Sequence, residues 1–312
     1  MSALGVIGGS GLYQMPGLDD RREETITTPF GEPSDSFVLG RVGGLDITFL
    51  ARHGRGHRLL PTEINFRANL FAFKTLGVER VVSVSAVGSL REEFRPLDVV
   101  LPDQFIDWTR QRPSTFFGSG LVAHVSLADP VCPVLGEALH EAGQACGARV
   151  RRGGTYLCIE GPQFSTRAES HLYRSFKADV IGMTNAQEVK LAREAEICYA
   201  TLAMVTDYDC WRAGTDAVTV DEVVARLNDN AATARSILIH VLGRLPATRS
   251  CPCATALRNA ILTDPTRVSS GRRTGRPKRS SAGRRPIARS PPPTSPACAW
   301  SPWSARISAR SR

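Results

Sequence analysis

Two apolar runs constrain this chain more than anything else in it. Val78 to Ala86 and Ile197 to Asp207 are dominated by β-branched and small apolar residues, and both read as buried strands. Such strands need helices to cover them. Helices are predicted over 61–77, opened by Pro61-Thr62 and closed by Gly77, and over 130–146, 167–176, 186–195 and 220–242. Shorter strands are predicted from Leu4 into a glycine turn, over 45–51, over 155–159 and over 179–181. This alternation implies an α/β protein, a single α/β/α sandwich around a mostly parallel or mixed sheet. No internal repeat is present, and no linker precedes about residue 247.

Charge divides the chain in two. The formal net charge is +9, yet residues 267–312 hold twelve Lys/Arg and no Asp/Glu, which leaves 27 basic against 30 acidic groups in the rest. The tail is built of Arg, Ser, Pro, Gly and Ala, too poor in apolar residues to offset its ordering entropy, and is expected to be disordered. Two readings stay open for it. One is an arm for nucleic acid or another anionic surface; the other, preferred, is incidental sequence of the kind an out-of-frame read of a GC-rich region yields. The folded domain is expected to be 1–266. No apolar run reaches membrane-spanning length and no basic stretch leads into an apolar one at the N-terminus, so a cytoplasmic protein is expected.

The strand ends carry the polar chemistry. Asp207 and Asp209 stop the second apolar run, and in extended backbone residues two apart share a face, so both carboxylates are expected to aim into one pocket. Gly8-Gly9-Ser10-Gly11 could cradle an anion or form a plain tight turn. Arg52-His53 and His57 follow another strand; Gly54 and Gly56 between the histidines argue against a helical metal site, and the Arg fork suits an oxyanion. Ser83 to Arg91 ends its strand in hydroxyls and glycine, where a ligand can approach the backbone or small residues can simply pack. Phe164, Met183 and Thr184 stand at two further junctions. The eight cysteines of a chain this long are not a disulfide scaffold, and most lie in apolar patterns as small hydrophobes. No metal is expected.

Taken together, Val6-Ile-Gly-Gly-Ser-Gly11, Thr28-Pro-Phe-Gly31 with Pro33-Ser34-Asp35, Leu50-Ala-Arg-His-Gly-Arg55, Ser85 to Glu93, Asp103 to Asp107, Ile159 to Ser165 and Thr206-Asp-Tyr-Asp-Cys-Trp211 resemble the 5′-methylthioadenosine phosphorylase branch of the trimeric purine nucleoside phosphorylase family. The resemblance covers roughly residues 3–265. It implies a central mixed, partly barrel-like sheet and phosphorolysis of S-methyl-5′-thioadenosine. It also implies phosphate held by Ser10, Arg52, His53, Ser85, Thr184 and the Ala86 backbone, with Met183 on the ribose and Phe164 on the purine. Asp207 would face N7 and Asp209 the 6-amino group, His57 would support the phosphate and ribose region, and His124 would reach a neighbouring subunit's site in a homotrimer. Ser165 and Val220 match positions tied to purine and 5′-substituent preference. Inorganic phosphate would be a co-substrate and no cofactor is implied. A 6-oxopurine or methylthioinosine phosphorylase, a nucleosidase using water, and nucleic-acid binding through the tail are the rival readings. The resemblance also raises a Cys251-Pro-Cys253 pair, expected to be reduced, and an apolar wall from a C-terminal helix, of which Ala254 to Leu262 keeps part of the pattern.

Overall fold

The computed structural model describes residues 4–9, 12, 14–212 and 220–264. The chain order is β1 (Leu4–Gly8), β2 (Leu18–Glu24), β3 (Phe37–Val42), β4 (Leu45–Ala51), α1 (Phe66–Thr75), β5 (Arg80–Ser89), β6 (Val99–Leu101), β7 (Gln104–Trp108), α2 (Pro133–Ala145), β8 (Val150–Arg152), β9 (Thr155–Ile159), α3 (Arg167–Ser175), β10 (Val180–Gly182), α4 (Asn185–Glu194), β11 (Cys198–Asp207) and α5 (Val220–Leu242). A short 3-10 turn, Pro252–Thr255, follows.

The sheet is mixed and forks at β5 without closing. β11 pairs in parallel along one edge of β5 from Arg80 to Gly88. The other edge is shared: β1 runs parallel to β5 as far as Ser83, and β10 runs antiparallel to it at Gly88 and Ser89. Alternate residues of the central strands feed two cores. Val82, Val84, Ala200, Leu202 and Met204 pack with Leu135 and Leu139 of α2 and Ile237, Leu238 and Val241 of α5. Val81 and Tyr199 face the other way, with Leu70 and Phe73 of α1 and Val189 and Leu191 of α4. Two-sided burial explains why these strands read as unbroken apolar runs.

Two sequence expectations change. The helix predicted from residue 61 begins at Phe66, because Asn65 caps it, accepting from the Ala68 N–H and donating to Phe30 O at 2.7 Å. Residues 254–262 are a 3-10 turn and further turns rather than a helix, ending in an isolated bridge between Ala123 and Ile261. β2, β3, β6, β7 and β8 were not foreseen; β2 is a mostly exposed, charged strand with no apolar alternation to announce it. Among the described residues no helix is long and apolar enough to cross a membrane. Ser10, the Val220 side chain and the basic tail lie outside the described residues.

Candidate active site

The shared edge of β5 leaves a gap. Between the last β1 partner, Ser83, and the first β10 partner, Gly88, β5 has no strand partner on that edge among the described residues. Ala86, in that interval, is exposed on a strand that is otherwise largely buried. Divergence of neighbouring strands is where open α/β sheets accept ligands, since backbone groups there are unspoken for. Gly9 after β1, the Arg52-His53 loop after β4 and the N-terminus of α4 are the described segments that leave the surrounding strands.

Arg52 occupies the inner end of this gap. Its guanidinium donates to Val84 O at 2.9 Å and to Ser83 Oγ at 2.5 Å, and it pairs with Glu188 at 2.6 Å. The two charged side chains are 4% and 2% exposed. Glu188 also accepts from Ser83 Oγ at 2.7 Å and from the Tyr199 hydroxyl at 2.9 Å, and burial pushes the Tyr199 phenol well up, so it stays a donor. The chain of bonds continues from Tyr199 to Thr201, Asn185 and the Thr184 hydroxyl. Thr184 caps α4, yet its side chain makes no capping bond, and the uncapped helix N-terminus favours an anion. Ser85 Oγ has only long contacts, to its neighbour's carbonyl at 3.4 Å and to Tyr156 Oη at 3.5 Å.

His53 is neutral at physiological pH. Burial pulls it down to about 4, opposed by its bond to Leu59 O at 2.8 Å. A carbonyl only accepts, so Nδ1 carries the proton and Nε2 is left as an acceptor. His57, exposed and at φ +54°, stacks on it with ring centroids 4.3 Å apart.

The acid pair lies at the far end of β5. Asp207 is the last residue of β11, but the register is irregular between Val205 and Asp207, and Asp209 sits past the strand in a turn at φ +52°. The strand-alternation argument therefore fails for Asp209; a turn, with Asp tolerant of left-handed backbone, brings it back beside its partner. Asp207 accepts from Thr206 Oγ1 at 2.6 Å and from the Asp209 N–H at 2.7 Å, and Asp209 accepts from Ser170 Oγ on α3. Burial raises the Asp209 carboxyl, the Ser170 bond opposes this, and the Asp207 charge adds to the rise. Both acids crowd over Gly88, where a Cβ would come within 3.1 Å of Asp207 Oδ1 and 3.4 Å of Asp209 Cβ. From α5, Arg226 donates to Thr206 O at 2.7 Å and fixes the strand end.

The apolar groups expected at the site follow β9 and β10. A Cβ on Gly161, at φ +65°, would meet Met183 Sδ at 2.5 Å, so only glycine lets the thioether lie against the loop that carries Phe164. Phe164 is 51% exposed, and Ser165 is half-buried, its carbonyl accepting from Cys210 Sγ at 3.2 Å. Arg112, which the sequence did not suggest, ties both sides together through Met183 O at 2.5 Å, Glu160 Oε1 at 3.1 Å and the Glu160 carbonyl. His124 is exposed, and its N–H donates to Ala260 O at 2.8 Å. Glu188, Tyr199, Ser170 and Arg112 were missed, while Ser83 lay in the segment singled out from the sequence; an acidic residue in the first turn of α4 was the one available signal for Glu188.

The phosphorylase superfamily model matches residues 3–243. An S-methyl-5′-thioadenosine phosphorylase of Koribacter versatilis is 61% identical over 261 residues, covering 84% of this chain and 89% of the relative. One from Geobacter sulfurreducens is 60% identical over 262 residues, covering 84% and 92%. A crystal structure of a methylthioadenosine phosphorylase from an antarctic soil metagenomic library superposes with a TM-score of 0.82 at 52% identity, covering 86% of this chain and 95% of that one.

Proposed function

The chain belongs to the phosphorylase superfamily, and we propose that it cleaves S-methyl-5′-thioadenosine with inorganic phosphate, giving adenine and S-methyl-5-thio-α-D-ribose 1-phosphate. The observation that supports this reading is that the β5 gap has Arg52 and the uncapped N-terminus of α4 at one end and the Asp207/Asp209 pair over Gly88 at the other. In the proposed reaction a phosphate oxygen bonds to C1′ as the bond from C1′ to the purine nitrogen breaks, and the departing base gathers negative charge. Proton delivery at N7 neutralises that charge, general acid work of roughly 10²–10⁴-fold.

Asp207 is assigned to N7 and Asp209 to the 6-amino group. Burial raises the Asp209 carboxyl, so it holds a proton more readily than a solvated carboxylate does, and its N–H bond to Asp207 Oδ1 ties the two acids together. Ser10, Arg52, His53, Ser85, Thr184 and the Ala86 N–H are assigned to phosphate, with His57 behind His53. Arg52 would act as a positive charge oriented by Glu188, and the neutral His53 Nε2 would accept from a protonated phosphate oxygen. Met183 would contact the ribose and Phe164 the base, while Ser165 and Val220 tune purine and 5′-substituent preference. His124 would complete a neighbour's site in a homotrimer, which fits its exposure. The reading needs no cofactor, takes residues 1–266 as the catalytic domain and suits a cytoplasmic salvage enzyme. Adenine release from S-methyl-5′-thioadenosine tests it: release that requires phosphate supports it. Phosphate-independent release, or a preference for inosine, would overturn it.

A further inference from the structure

Four cysteines from three separate stretches of chain converge on the face of the sheet covered by α2 and α5. Cys132 caps α2, Cys198 opens β11, and Cys251 and Cys253 flank Pro252 where the 3-10 turn begins. All four are buried, and their Sγ atoms lie within 4.8 Å of one another, with Cys198 and Cys251 3.3 Å apart. Metal–sulfur bonds of about 2.3 Å in a tetrahedron set sulfur–sulfur edges of about 3.8 Å, inside that spread. Apolar packing asks a cysteine only for apolar neighbours. It gives no reason for four sulfurs to meet one another.

We propose that Cys132, Cys198, Cys251 and Cys253 form a closed four-thiolate site for a zinc ion. Soft sulfur donors select zinc over magnesium or calcium, and four protein ligands leave no open position, so the role is structural. Binding releases the four thiol protons to solvent as four sulfur–zinc bonds form, leaving the site with two net negative charges. Groups that offset such charge are in place. The Leu135 N–H donates to Cys132 Sγ at 3.5 Å at the N-terminus of α2, and Arg193 Nη1 lies 4.0 Å from Cys253 Sγ.

The ion would pin the chain that follows α5. From the cluster that chain runs on to Ala260–Leu262, which pairs with Val122–His124. The site is independent of the proposed activity. Purified full-length chain, isolated without chelator, should hold one zinc ion per chain by plasma mass spectrometry. After anaerobic reduction and metal removal it should take up cobalt with intense thiolate-to-cobalt charge-transfer bands. Cys198→Ser and Cys253→Ser should lose the bound metal, while Cys146→Ser, outside the cluster, should keep it. Should the first two fail to fold, the cobalt spectrum of the unaltered chain decides alone. Reduced protein that takes up neither metal overturns the proposal. So does a denatured mass lowered by the hydrogens lost to two disulfides among these cysteines.

Discussion

The two ends of β11 differ in almost every respect. Its first residue, Cys198, is sealed among other thiols beneath α2 and α5, and its last, Asp207, is half-exposed over Gly88 beside a second acid. Between them the strand is buried throughout, a rigid spacer. A sulfur cluster gains from exclusion of water, whereas an acid pair that serves a ligand must be reachable yet desolvated enough to hold a proton. One strand meets both demands because its neighbours differ: α2 and α5 close one end, and the fork in the sheet opens the other.

That contrast can be broken most directly at the open end. Asp207→Ala should lower phosphate-dependent adenine release by roughly 10²–10⁴-fold and leave any bound metal in place; equal rates in both proteins would remove the catalytic assignment. Glu188→Ala should next show how much the gap depends on its buried ion pair. Stranding Arg52 should cost about 3–5 kcal/mol in denaturant unfolding, and a loss under 1 kcal/mol, roughly what an exposed pair is worth, would mean the pair is not closed to water.

His53 gives a pH handle. Its folded pKa of about 4 lies below the ordinary 6.5, so the unfolded chain binds the proton first and stability falls as pH drops from 6.5 towards 4. The loss should approach about 3 kcal/mol, and His53→Gln should flatten that part of the stability curve. The smallest effect is the most diagnostic. The Asp209 carboxyl is raised, so its contribution to stability is lost as pH rises through its folded value, and Asp209→Asn should stabilise the ligand-free protein at pH 7 by about 1 kcal/mol while slowing catalysis. A thermal midpoint that falls instead would show that the ionised acid stabilises its turn.

Much of this was legible in the chain. Two-sided burial leaves a continuous apolar run, which is why β5 and β11 could be read from composition alone, and α5 from its amphipathic pattern. Asp207 and Asp209 were readable because they are near neighbours in sequence. Their geometry was not, since an irregular register and a left-handed turn stand where alternation was expected. β2 is charged and mostly exposed and β8 reads Val-Arg-Arg, so neither carries an apolar pattern.

By itself the sequence determined the alternating α/β architecture and the residue types at each strand end, because period and turn chemistry are local. Only the tertiary structure decided that Arg52 turns inward to Glu188, that β1 and β10 share one edge of β5 and leave it open between them, and that four cysteines meet. Each is a contact between segments far apart in the chain. Its energy comes from desolvation and three-dimensional closure, which no local window of sequence encodes.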